Sequence, residues 1–197
     1  MLKTLLLVSA AALTLASASA MAAPGDSGVY AVEPSHTEVV FAVNHLGFST
    51  YYGQFPGASG SLTLDAANPA GSKLDISVPT ATVWTASPLL THELTSAGWL
   101  DAAQFPAMTF HATKIVSTGA DTADVTGDLT LHGVTHSVTL KAKFNKAGPN
   151  PMSKVATVGF EVSGVVKRSD YGVSKYVPFV GDDVQLIISA AFEKKAG

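Results

Sequence analysis

Apolar side chains recur at every second position along most of this chain, the period of strands that bury one face. Segment 29–46 carries Val39, Phe41, Val43 and His45 in one parity. The same step runs through Leu62 and Leu64, through Leu74, Ile76 and Val78, and through Met108, Phe110 and Ala112. It continues in Val125, Gly127, Leu129 and Leu131, then in Val138, Leu140, Ala142 and Phe144. The last two series are Val158, Phe160, Val162, Gly164 and Val166, followed by Val184, Leu186, Ile188, Ala190 and Phe192. Gly, Pro and Asn punctuate the gaps, so about eight strands are predicted. One interval departs from the rule. Across 88–104 the spacing of Leu89, Leu90, His92, Glu93, Leu94, Trp99 and Leu100 suits short helical turns, and the expected role is a lid or plug.

Antiparallel strands with one apolar face form either a sandwich or a closed barrel, and closure removes exposed edges. An eight-stranded barrel has room for one small ligand. The fold class expected is therefore all-β, an eight-stranded antiparallel barrel with a short helical insertion. Alternation alone leaves core packing and cavity lining equally open. Gly127, Gly159 and Gly164 lie inside strand patterns, where they mark either bulges or bends that let a barrel curve or ordinary edge or turn positions. Segments 39–43 and 184–188 are apolar on both faces, so the outer face needs cover from the helical interval, a partner subunit or a membrane. A homodimer is expected on that ground.

Residues 1–22 read as a signal peptide: Lys3, then Leu5, Leu6, Leu7 and Val8, then small residues ending in Ala18-Ser19-Ala20 or Ala20-Met21-Ala22. The apolar stretch is short for a retained anchor, and there is no twin-arginine pair and no cysteine for a lipid linkage. The expectation is a periplasmic or secreted domain over 23–197, not stably inserted in a membrane after cleavage. Lys and Arg total 12 against 15 Asp and Glu; losing Lys3 leaves 11 against 15, a net charge of −4. Such a weakly acidic chain has no electrostatic reason to bind nucleic acid. With Cys 0, stability must come from packing and sheet hydrogen bonds.

The six histidines raise a metal or enzyme alternative through His36, His45, His132 and His136. Zinc needs three or four ligands in set geometry, and no third partner is evident beside His132 and His136. Neither a cysteine nor a Gly-x-Ser-x-Gly elbow is present for nucleophilic chemistry. No catalytic residue, metal or cofactor is expected. Arg168 and Asp170, two apart at a strand end, are read as an ion pair or a clamp on turn backbone, with Glu33 or His36 as further partners.

Four patterns carry a resemblance. They are Tyr30-Ala31-Val32-Glu33-Pro34-Ser35-His36-Thr37 leading to Phe41-Ala42-Val43-Asn44-His45; Trp99-Leu100-Asp101 with Gln104-Phe105-Pro106 and Thr109-Phe110; Gly127-Asp128-Leu129-Thr130-Leu131-His132-Gly133-Val134-Thr135; and Arg168-Ser169-Asp170-Tyr171-Gly172. In this order the chain resembles the YceI-like family of lipocalin-like exported proteins. Glu33 stands where Asp is usual, and Gly98 and Trp99 stand where an acidic residue and Phe are usual. The resemblance implies a barrel enclosing a tunnel for polyisoprenoid chains, such as those of quinone-type lipids, and does not imply an enzyme; the function expected is that of a carrier or reservoir. The wall positions it implies are Phe41, Val43, His45, Leu62, Leu64, Ile76, Val78, Phe110, Leu129, Leu131, Val138, Leu140, Phe160, Val162, Leu186 and Ile188, with His36, Arg168 and Asp170 as a head-group contact or structural clamp. Burying several hundred Å² of such a chain is worth on the order of 10 kcal/mol before association costs. The remaining alternative is a filled barrel acting as an interaction module.

Overall fold

The computed structural model describes residues 25–195; the expected leader lies outside them. The strands are β1 (Gly28–Val32), β2 (Glu38–His45), β3 (Ser49–Gln54), β4 (Ser59–Leu64), β5 (Lys73–Pro79), β6 (Trp84–Thr85), β7 (Ala107–Ser117), β8 (Thr122–Leu131), β9 (Val134–Pro149), β10 (Ala156–Lys167) and β11 (Val180–Lys194). One α-helix, α1 (Pro88–Thr95), lies between β6 and β7. Strands β1, β4, β5, β7, β8, β9, β10 and β11 pair in that order, all antiparallel, and β1 returns to β11. This closes the eight-stranded barrel.

The expected single strand over 29–46 is two strands. Strand β11 pairs with β1 near Phe192 and with β2 from Ser189 to Val180, so β1 and β2 share one neighbour end to end. The break between them is a turn capped by its own side chain. The Glu33 carboxylate accepts from the backbone N–H of Ser35 (3.0 Å) and of His36 (2.9 Å), and from His36 Nδ1 (2.6 Å). Strand β3 has no alternation of apolar and polar residues, and β6 is two residues long, so neither was predicted. Together with β2 they rise as a flap above the ring, ordered β2-β3-β6. The end of the barrel near His45 is called the upper end below.

Helix α1 sits at the upper end, within the interval expected to be helical. Ser87 caps it by accepting from Leu90 N–H, and Pro88 occupies its first turn, where no N–H is needed. Thr91 Oγ1 ties it to β6 through Thr85 Oγ1 at 3.0 Å. The helix packs beside β6 and does not supply the cover expected for the outer faces of β2 and β11, where Ile187 is 45% exposed. The β8–β9 turn places His132 and Gly133 at φ 52 and 75, the left-handed pair of a type I′ hairpin.

Inside and outside differ sharply in polarity. Outward positions form polar ladders, with Thr126 and Thr139 hydroxyls at 2.9 Å, Thr130 and Thr135 at 2.8 Å, and Lys141 near Asp124 at 3.6 Å. Inward positions are apolar, the reverse of a barrel that faces lipid with its outer wall. Among the described residues no helix is long and apolar enough to cross a membrane.

Burial of Glu33 opposes ionisation, but its hydrogen bonds from His36 and Ser35 outweigh this and hold the carboxyl below its usual 4.5. A lowered folded-state pKa stabilises above the unfolded value and is lost as pH falls through the folded one. Glu33→Gln is therefore expected to cost about 1 kcal/mol at pH 7. In urea denaturation the gap between wild type and variant should close well below pH 4.5.

Candidate functional site

Between the inward side chains lies a cavity of about 540 Å³. The volume is typical of a small-molecule site. Phe41, Val43 and His45 reach it from β2, Leu62 and Leu64 from β4, and Ile76 and Val78 from β5. Phe110 comes from β7, Leu129 and Leu131 from β8, Val138 and Leu140 from β9, Phe160 and Val162 from β10, and Leu186 and Ile188 from β11. The structure thus places every candidate wall residue on the cavity. Several of them, including Phe41, Val43 and Leu186, are only half-buried although they point away from the outer surface, because what they face is the void.

Two inward glycines explain how the large side chains leave room. A Cβ at Gly127 would lie 2.5 Å from the Phe110 ring, and one at Gly164 would lie 2.5 Å from Leu140 Cδ2. Each glycine lets the neighbouring strand's side chain lie flat along the wall instead of crossing the lumen. The register shifts fall in β7 between Ala112 and Lys114, in the β9–β10 ladder at Gly159/Phe160, where the sequence offered a bulge, and in the β11–β2 ladder between Val180 and Val184. The first brings Ile115 into the parity of Phe110, so the expected series stopped short of it.

The cavity is polarised from end to end. Its lower end rests on Tyr30, Leu62, Leu64, Val158 and Phe192, all nearly inaccessible to solvent. The polar groups His45, Tyr51, Glu93, Arg168 and Tyr176 line the upper part. His45 is exposed while also lining the cavity, so the mouth opens beside it. The Tyr51 Oη is buried and has no hydrogen-bond partner. Tyr51, Tyr176 and the lid residues Leu90, Leu94 and Trp99 were not expected on the wall. They come from β3, from the helical interval and from the loop after residue 171, none of which has a strand period.

Arg168 occupies the site differently from expectation. It keeps the inward parity of Val162 and Val166, while the 3-10 turn Arg168–Tyr171 that begins there ends the extended chain and leaves Asp170 exposed. The guanidinium is 5% exposed and donates to three carbonyls: Gly181 (Nε, 2.8 Å), Val173 (2.7 Å) and Val180 (2.9 Å). The expected clamp on backbone is present, but its partners are neither Asp170 nor Glu33 nor His36. Burial lowers the Arg168 pKa from its usual value, against the attraction of Asp182. Asp182 itself accepts from Ser169 N–H (2.9 Å) and Oγ (2.7 Å), and these bonds outweigh its burial and hold its pKa down.

The helical interval is fastened to the same clamp. Trp99 lies with its ring centroid 5.5 Å from the Arg168 guanidinium, and its Nε1 donates to Glu93 at 3.0 Å. Lys175 donates to Glu93 at 2.8 Å, and these two bonds, that from Lys175 foremost, lower the Glu93 pKa. His132 Nδ1 donates to the Tyr171 carbonyl and His136 Nε2 to that of Asp170, both at 3.1 Å. The two histidines therefore latch one hairpin to the clamp turn. Among the described residues, no group of three or more His, Cys, Asp or Glu converges on a metal position. His36 stands outside the cavity, on the Glu33 turn.

Comparison with known proteins places this architecture. Residues 30–192 match the YceI-like domain. A UPF0312 protein of Pseudomonas putida is 38% identical over 165 residues, 83% of this chain and 85% of its own length. Burkholderia cenocepacia BcnA superimposes with a TM-score of 0.74 at 22% identity, covering 81% of this chain and 98% of that one. A domain of Saccharophagus degradans described as polyisoprenoid-binding gives a TM-score of 0.67 at 13% identity, covering 86% and 100%. These last two likenesses show the fold. On the family match and the Pseudomonas relative, this chain belongs to the YceI-like family.

Proposed function

We propose that this protein binds a long isoprenoid lipid, tail in the barrel and head at the mouth, and serves as a carrier or reservoir outside the cytoplasm. The observation that carries the reading is the polarised cavity: an apolar wall on every strand of the ring, with the ionisable side chains His45, Glu93 and Arg168 and the two tyrosines at the upper end and only the small hydroxyl residues Thr37 and Ser72 elsewhere on the lining. A polyprenyl chain has the same distribution, hydrocarbon along its length and one polar terminus. The polyisoprenoid-binding domain of Saccharophagus degradans supports the reading through its shared fold.

The head group is read as neutral. Arg168 is engaged with three carbonyls and Lys175 with Glu93, so neither cation is presented free to a phosphate. The Tyr51 hydroxyl, buried without a partner beside His45, suits the carbonyl or hydroxyl oxygen of a quinone-type head. The protein is read as a binder and not a catalyst, because Glu93 and Arg168 already serve structural bonds. A second copy covering Val40, Val165 and Ile187 on the outer wall belongs to the same proposal; the β2–β11–β10 register places these side chains on neighbouring strands.

Mass spectrometry of the organic extract of purified protein is expected to show an isoprenoid lipid, and repeated recovery of empty barrels would overturn the reading. Val43→Trp is expected to fold with little change in melting temperature and to lose at least tenfold in affinity, as a plugged lumen should; a filled core would instead be destabilised by overpacking. Tyr51→Phe should leave the apo-protein as stable or more so, since its hydroxyl has no partner to lose. It should weaken binding of a quinone-headed lipid about tenfold while leaving squalene unaffected. Export predicts that N-terminal sequencing of protein from the cell envelope begins just after Ala20 or Ala22.

A further inference from the structure

The loops around the mouth expose side chains that loops ordinarily avoid. Phe48 is 91% exposed, Leu89 78% and Phe179 71%, with Tyr176 and Leu46 about half exposed. They belong to three segments that the fold brings to one end. Leu46 N–H donates to the Phe179 carbonyl at 2.9 Å, joining the β2–β3 turn to the loop before β11. Strand β6 runs antiparallel to β3 with Thr85 opposite Gly53, so the chain leaving β6 heads toward the start of β3 and carries Leu89 to the same end. Each segment also contributes to the cavity wall through an adjacent residue: His45, Leu90 and Val180. The apolar side chains therefore gather beside the opening, on the side formed by β11, β2, β3 and β6.

We propose that this rim seats on the surface of a lipid bilayer, with Phe48, Phe179 and Leu89 entering the boundary between head groups and acyl chains. The proposal rests on the reading of the barrel as an isoprenoid-lipid binder, because such a guest is dissolved in a bilayer before it is captured. A guest leaving through water would expose its whole hydrocarbon, whereas a rim in the interface makes the path from acyl chains to barrel wall continuously apolar. Charge on the rim fits this occupant. Lys175 pairs with Glu93 at 2.8 Å and Lys167 with Asp183 at 3.1 Å, so contact depends on apolar insertion and not on attraction to anionic lipid. The lower loops, by contrast, present Asn68, Asp121 and Lys154, with Met152 among them.

The test is co-sedimentation of the protein with phosphatidylcholine vesicles, alongside loading of the same samples with a quinone-headed isoprenoid from detergent. Wild type is expected to partition onto the vesicles with little dependence on salt. Phe48→Ser with Phe179→Ser should lower partitioning about a hundredfold, roughly tenfold for each aromatic ring, and leave loading from detergent unchanged. Phe48→Ser alone, at a hairpin tip with almost no packing to lose, gives the smaller version of the effect should the double variant fold poorly. Met152→Ser at the opposite end should change nothing. Wild type that loads from detergent but ignores vesicles overturns docking while the binding reading stands. So does a dimer, seen by analytical ultracentrifugation, that the double variant abolishes. Vesicle binding without any loading supports docking and removes the isoprenoid reading.

Discussion

Hydrogen bonding around a closed ring of strands is the constraint from which the cavity follows. Neighbouring strands are held roughly 4.8 Å apart by their ladders. The contact between β1 and β11 fixes the number of strands in the ring at eight, and with it the perimeter. Side chains of Val, Leu, Ile and Phe then project inward from a wall that cannot contract onto them. Where such a side chain is long, as at Phe110 and Leu140, a glycine on the next strand takes it against the wall. The volume that remains is thus a product of backbone pairing and not of loose packing.

The two ends of the ring are built on different physics. Below, aromatic and aliphatic residues around Tyr30 and Phe192 pack as an ordinary core. Above, the chain departs from the ring as a flap, a helix and a loop, and polar bonds hold these pieces in place. Arg168 lies at their centre, bonded to the start of β11 and to the loop that precedes it, and faced by Trp99 from the helical interval. His132 and His136 add the β8–β9 hairpin. Phe105 completes the arrangement, its ring centroid 4.6 Å from that of His132. A single assembly therefore shapes the mouth and orients the groups within it.

Alternation was sufficient to place the strands of the ring and the parity of their inward residues, since each apolar series steps by two over a wall with one dry face. It was silent on β3, whose Ser49-Thr50-Tyr51-Tyr52 offers no contrast between faces, and it carried the reading of β2 through a break that only the Glu33 turn reveals. Bulges also defeat a fixed step, which is why Ile115 went unnoticed. Whether the interior was empty could not be read from periodicity, because the same pattern lines a void or fills a core. The motifs behaved differently. Those around Trp99, Gln104, His132 and Arg168 converge on the upper end, so they report the assembly of the mouth, while the wall itself carries little beyond hydrophobicity.

The choice of partners for Arg168 has a consequence for life in changing surroundings. Glu33 and Asp182 accept their bonds as carboxylates with lowered pKa values, and such contacts dissolve once acid protonates the acceptor. Peptide carbonyls carry no proton to gain in that range, and the guanidinium bound to them stays charged. Acidification should therefore loosen the junction of β1 and β2 and, at the gateway, the carboxylate contacts of Asp182 and Glu93, while the carbonyls bound by Arg168 keep the turn and the start of β11 together.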